Sequence, residues 1–105
     1  MSDSDDQGFL DLQRRYLAAF PGLLADLGQC IVASRTGSDD AVSQLKTRFH
    51  QLAGSGGAYG FPEISALARE AEQSISARPA GLDADHLDRV VAELDAVYRR
   101  ARAGQ

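Results

Sequence analysis

The sequence predicts an all-α fold, an antiparallel four-helix bundle with a kinked first helix. Three observations carry that expectation. Apolar residues recur at steps of three and four along the chain, no stretch alternates with the period of a strand, and Gly, Pro and Asp interrupt the pattern only at short intervals. With 105 residues the chain has room for one domain and one core. We place that domain at 8–105, behind a flexible tail at 1–7 that carries Asp3, Asp5 and Asp6.

The first helix is expected from Phe9, because Phe9, Leu12, Tyr16, Phe20, Leu23, Leu27 and Cys30/Ile31 form one stripe. The stripe keeps its phase across Pro21, which predicts one long helix kinked there, with two abutting helices as the alternative. Ala33 to Ser38 is its exit, and Gly37 can adopt a left-handed cap. The second helix should start near Ser38-Asp39-Asp40, where a side-chain oxygen can cap free N–H groups and the aspartates suit the positive end of the dipole. Its inward residues are Val42, Leu45, Phe49 and Leu52. The glycines that follow, Gly54, Gly56, Gly57 and Gly60, weaken it without demanding a stop. Pro62 opens a third helix, with Ile64, Leu67/Ala68, Ala71 and Ile75 inward, and Arg78-Pro79-Ala80-Gly81 ends it. Asp83 can cap a fourth, with Leu87, Val90/Val91, Leu94 and Val97/Tyr98 inward.

Charge and cysteine content narrow the function classes. Eleven Lys+Arg stand against fifteen Asp+Glu, for a net charge of -4. A domain that neutralises phosphate along nucleic acid or anionic lipid would carry the opposite balance. The single cysteine, Cys30, can form neither an internal disulfide nor a Cys-rich zinc site. The acidic start resembles no secretory or transit signal. No apolar run approaches the ~20 residues of a membrane span. The expectation is a cytoplasmic protein with no nucleic-acid or membrane partner.

The second helix holds the one unusual local composition, Phe49-His50-Gln51-Leu52-Ala53-Gly54-Ser55-Gly56-Gly57. At about 100° per residue, His50 falls roughly 120° from the centre of the apolar sector and faces water, beside Ser43, Lys46, Thr47, Gly54 and Gly57. Each Gly in a helix costs about 1 kcal/mol relative to Ala. Three of them beside an exposed imidazole suggest bare backbone kept open for a partner surface. A hairpin turn centred on Phe61 would set Glu72 opposite His50, since each lies eleven residues from it. A carboxylate there could accept the Nδ1–H and leave Nε2 as the free nucleophilic nitrogen.

His50-Gln51-Leu52-Ala53-Gly54-Ser55, followed by Gly60-Phe61-Pro62-Glu63-Ile64 and Glu72, resembles the histidine phosphotransfer (HPt) domain family, whose motif is His-x-Leu-Lys-Gly-Ser. The resemblance covers the hairpin from about Asp39 to Gln73, and the flanking helices fit the family's bundle. It implies a phosphocarrier of a two-component phosphorelay, not an enzyme with its own nucleotide site. The histidine takes a phosphoryl group from the aspartyl phosphate of a receiver domain and returns it to another. The partners implied are a response-regulator receiver domain and a hybrid sensor histidine kinase, with the carrier a monomer that needs no cofactor or metal. His50 is then the phosphoacceptor, Glu72 orients the imidazole, and Lys46, Gly54, Ser55 and Gly57 form the phosphoryl and docking surface. One position departs from the motif: the family lysine is Ala53 here. Lys46, one turn before His50, is the candidate substitute.

Plainer readings compete at several positions. His86, in the first turn of the last helix, is a surface residue. The glycines fail as a dinucleotide or phosphate-binding loop, because no strand precedes them and Tyr59 stands where the last glycine would be. His50 with Glu72 is too few ligands for a metal. Glu63, Glu70 and Asp95 belong to solvated faces. Arg99, Arg100 and Arg102 suit a helix C-terminus, and Phe9, Phe20, Tyr59 and Phe61 are expected in the core. The competing class of function is a helical interaction module that uses the same face without phosphoryl transfer.

Overall fold

The computed structural model describes the backbone of residues 2–77 and 82–104, and four helices account for nearly all of it: α1 (Ser2–Arg35), α2 (Asp39–Ala58), α3 (Pro62–Ala77) and α4 (Ala84–Ala103). Each helix packs on its neighbours in the sequence and α1 closes the ring onto α4, so α1/α3 and α2/α4 are the diagonal pairs. Cross-helix contacts run in opposite chain directions, as Tyr16 to Ser55, His50 to Glu72, Glu63 to Arg100 and Phe20 to Tyr98 show. The fold is an antiparallel four-helix bundle.

Its core is built mainly from the expected stripes, but α1 buries Leu17, which lay outside its stripe, while Tyr16 and Leu23 are only half-buried. Leu17, Phe20, Leu27 and Ile31 of α1 meet Leu45, Phe49 and Leu52 of α2, Ile64, Ala68, Ala71 and Ile75 of α3, and Leu87, Val90, Leu94 and Tyr98 of α4. Val42, Leu67, Val91 and Val97 flank this core, half-buried. The helix starts are chemically specified. Ser38 accepts from the Ala41 N–H at 3.1 Å and Asp83 from the His86 N–H at 3.1 Å, each satisfying a donor the helix leaves open. Pro62 is the first residue of α3, where its missing N–H costs nothing. Gly37 adopts φ 87° after α1. The Arg78–Gly81 break lies outside the described residues.

Two expectations about α1 change and one is met. It starts at Ser2 rather than near Phe9, since neither proline nor glycine stands between Ser2 and Gln7 to end it; Met1 lies outside the described residues. It runs unbroken through Pro21, which removes the two-helix alternative. At 34 residues and about 1.5 Å rise per residue, it accounts for the 53 Å long dimension of the molecule. Finally, Gln7–Arg35 is long and apolar enough to cross a membrane by length and composition, contrary to the reading of single apolar runs. Only Asp26 is charged between Tyr16 and Ser34. A bundle's core helix meets the same test, and α1 gives four large side chains to this core.

α1 meets the α2–α3 turn at Phe9 and Gln13, where the Phe9 ring comes within 3.4 Å of the position a Gly60 Cβ would take. At this end of the bundle Phe9 is 42% exposed, and Leu12, about 80° round the helix from Phe20, is 47% exposed, although both were expected inside. Tyr59 and Phe61 are half-buried and stack on Tyr16 at centroid distances of 4.7 and 5.8 Å.

Candidate functional site

The site rests on how α2 ends. Its glycine-rich segment remains helical to Ala58, and Gly60 at φ 83° then turns the chain back. The Phe61 N–H bonds the Gly56 carbonyl at 2.7 Å and the Gly60 N–H the Gly57 carbonyl at 3.2 Å. This is the six-to-one and five-to-two pair of a Schellman cap, which needs a residue tolerant of the left-handed region at Gly60. The tight turn lays α3 directly against α2. At Gly56 a Cβ would stand 2.9 Å from both Ile64 Cγ2 and the Ser65 backbone nitrogen, so only glycine allows this approach.

That approach fixes the register of the hairpin. Ser65, buried, donates its hydroxyl to the Ala53 carbonyl at 2.7 Å. Further along, His50 Nδ1 lies 2.8 Å from Glu72 Oε2. A carboxylate only accepts, so the Nδ1 proton sits between them and the ring donates. The side chain of His50 is 74% exposed whereas that of Glu72 is 25% exposed. Glu72 is thus held at the edge of the helix pair, and the free edge of the imidazole, Nε2, faces solvent. A neutral imidazole of this tautomer carries its lone pair on Nε2, the form a nucleophile requires.

The other residues of the expected site divide. Lys46 is exposed one turn before His50, with no ion pair or hydrogen bond among the described residues. Gly54 is exposed one turn after it, and a Cβ there would meet nothing within 4 Å. Gly57 is exposed too, with the Ser65 hydroxyl oxygen 3.7 Å from where its Cβ would be. Ser55 leaves the group. Five residues after His50 is about 140° round a helix, and its hydroxyl is half-buried against α1, 3.0 Å from the Tyr16 hydroxyl. Burial pushes the Tyr16 phenol above its ordinary value; the Ser55 hydrogen bond opposes that rise and Tyr59 adds to it. Ala53 is 6% exposed, its methyl turned into the packed side of α2. His86 is half-buried in the first turn of α4.

Sequence reasoning missed Ser65, a hydroxyl inside an apolar stripe. The signal was present, because Ser65 mirrors Gly57 about Phe61 and a small hydroxyl suits a close helix crossing. It also missed the pairing of Arg35 with Asp85 and Asp88, at 2.8 and 2.7 Å, and of Arg100 with Glu63 at 3.0 Å. These ties join helices far apart in sequence. Among the described residues no group of three or more His, Cys, Asp or Glu could hold a metal ion.

Comparison with known proteins identifies the family. The family model described as Hpt domain matches residues 11–103. No curated protein and no solved structure matches the chain. The matched span runs from within α1 to the last residue of α4, and the chain therefore belongs to the Hpt domain family, the histidine phosphotransfer modules of two-component phosphorelays.

Proposed function

We propose that this chain is a phosphocarrier in which His50 is the phosphoacceptor, loaded from the aspartyl phosphate of a response-regulator receiver domain. The Nε2 lone pair attacks phosphorus, the N–P bond forms, and the P–O bond to the aspartyl carboxylate breaks so that the carboxylate leaves. The ring becomes a cation that keeps its Nδ1 proton, and Glu72 stabilises it at 2.8 Å. Return of the group to a second receiver reverses each step. A hybrid sensor histidine kinase is the source upstream, and the carrier acts as a cytoplasmic monomer.

The hydrogen bond from Nδ1 to Glu72 Oε2, beneath a ring 74% exposed, carries this reading. The test is incubation with a phosphorylated receiver and measurement of acid-labile, base-stable label. His50→Gln should take no label while keeping its helical content, and His86→Gln should transfer normally. Label on the His50→Gln protein would remove His50 from the role. A wild-type chain that binds the receiver but never takes label is an interaction module, the reading that Ala53 favours.

A further inference from the structure

The phosphoryl group placed on His50 Nε2 would bring two negative charges to the edge of the ring opposite Nδ1 and its Glu72 partner. The imidazolium lies between the two, and a further cation beside the phosphoryl oxygens would add charge-assisted hydrogen bonds to the product. The hairpin register shows which residues can supply it. Gly57 faces Ser65 and His50 faces Glu72. Arg69 lies four residues after Ser65 and three before Glu72, just as Ala53 lies four before Gly57 and three after His50. Arg69 therefore stands across the groove from Ala53.

The buried methyl of Ala53 puts no long side chain on this edge of α2, where the family motif has lysine. Along α3, Arg69 is about 40° from Ser65 and about 60° from Glu72, turned to the solvent side of both. It is exposed and has no hydrogen bond or ion pair among the described residues. The other arginine near this end of α2, Arg48, points to α1, with its Nη1 3.7 Å from Asp26 Oδ2. Lys46 sits one turn before His50, so Arg69 and Lys46 bracket the imidazole from opposite directions along the groove. A guanidinium presents two parallel N–H groups to two phosphoryl oxygens, which an ammonium cannot do.

We propose that Arg69 is a phosphoryl-binding residue, its guanidinium reaching across the α2–α3 groove to the oxygens of the group on His50 Nε2. The proposal rests on His50 being the phosphoacceptor. Arg69 stabilises the N-phosphoryl product, so it shifts the equilibrium between phosphorylated receiver and phosphorylated carrier. At concentrations well below the dissociation constant of the complex, that equilibrium depends on the two free phosphorylated proteins and not on how they dock.

The experiment equilibrates the chain with a phosphorylated receiver and reads the ratio of phosphohistidine to aspartyl phosphate. Arg69→Gln should move the ratio toward the receiver by about tenfold, the scale of one charge-assisted pair, and Arg69→Lys should recover part of it. Phosphorylation of the wild-type chain should also shift the Arg69 Nε–H resonance. Both variants should melt close to wild type, because the side chain is exposed and makes no hydrogen bond or ion pair among the described residues. An unchanged ratio in Arg69→Gln, with no shift at Arg69 Nε–H, would overturn the proposal and leave His50 in place. A wild-type chain that never takes label would overturn the phosphocarrier reading itself, and Arg69's role with it.

Discussion

Adding one methyl at Gly56 tests whether the close α2–α3 approach builds the site. In Gly56→Ala the new Cβ would stand 2.9 Å from Ile64 Cγ2, 2.9 Å from the Ser65 nitrogen and 3.2 Å from Ile64 Cβ. Ile64 is fully buried and cannot swing aside, and the Ser65 nitrogen is backbone. The remaining response is for α3 to retreat. Overpacking of this kind costs about 1–3 kcal/mol, while alanine in a helix returns about 1 kcal/mol over glycine. The net expectation is a loss of about 1 kcal/mol, a drop in Tm of roughly 4–8 °C for a domain this size. Gly54→Ala is the control, with the same chemistry two residues away. There a Cβ meets nothing within 4 Å, so the variant should gain about 0.5–1 kcal/mol. Thermal and urea melts followed by circular dichroism measure both. Gly56→Ala melting at or above wild type would refute the close-approach argument.

Gly54→Gln should fold within a small margin of wild type, since the site is open, yet accept phosphate far more slowly. Displacements of about 1 Å at a reacting pair can cost ~10²-fold in rate, and full activity in a stable Gly54→Gln protein would mean the receiver does not approach over this face. Tyr16 predicts a pH effect: burial raises its folded value above 10.0, so the unfolded chain gives up that proton first. The folded state then holds more protons, and stability falls as pH rises past about 10. Tyr16→Phe should show a shallower loss of Tm between about pH 9 and 11, and equal slopes would count against a buried, hydrogen-bonded phenol.

The sequence displayed the fold through periodicity, and it failed where a stripe drifts or the bundle ends. The stripes of α2, α3 and α4 point inward as spaced. Phe9 shares the spacing of Tyr16 and Phe20 but sits at the bundle's end against Gly60, and Leu12 lies about 80° round the helix from Phe20, a drift that steps of three and four do not reveal. His50 and Glu72 were legible because a hairpin turned about Phe61 makes mirrored positions meet. Ser55 was misplaced by treating the motif as one block, when five residues along a helix reverse much of the facing direction. Gly56 was hidden for a related reason. Composition groups it with Gly54, but one faces α3 and the other faces water.

That division explains why a helix bearing three glycines near its end remains a helix. Relative to alanine, Gly54, Gly56 and Gly57 together weaken it by about 3 kcal/mol, more than its own caps return. The balance comes from neighbours. Gln13 of α1 donates to the Tyr59 carbonyl at 2.8 Å, Tyr16 meets Ser55 at 3.0 Å, and Ser65 of α3 donates to Ala53 at 2.7 Å. These ties reach α2 from its α1 and α3 sides, while a Cβ at Gly54 would meet nothing within 4 Å. Order is therefore imposed from behind, and the front stays bare. The same crossing at Gly56 that admits the Ser65 bond brings Glu72 to the Nδ1 side of His50 and sets Arg69 across from Ala53. Packing, tautomer and open approach follow from one backbone contact, so a change that separates α2 from α3 should disturb all three together.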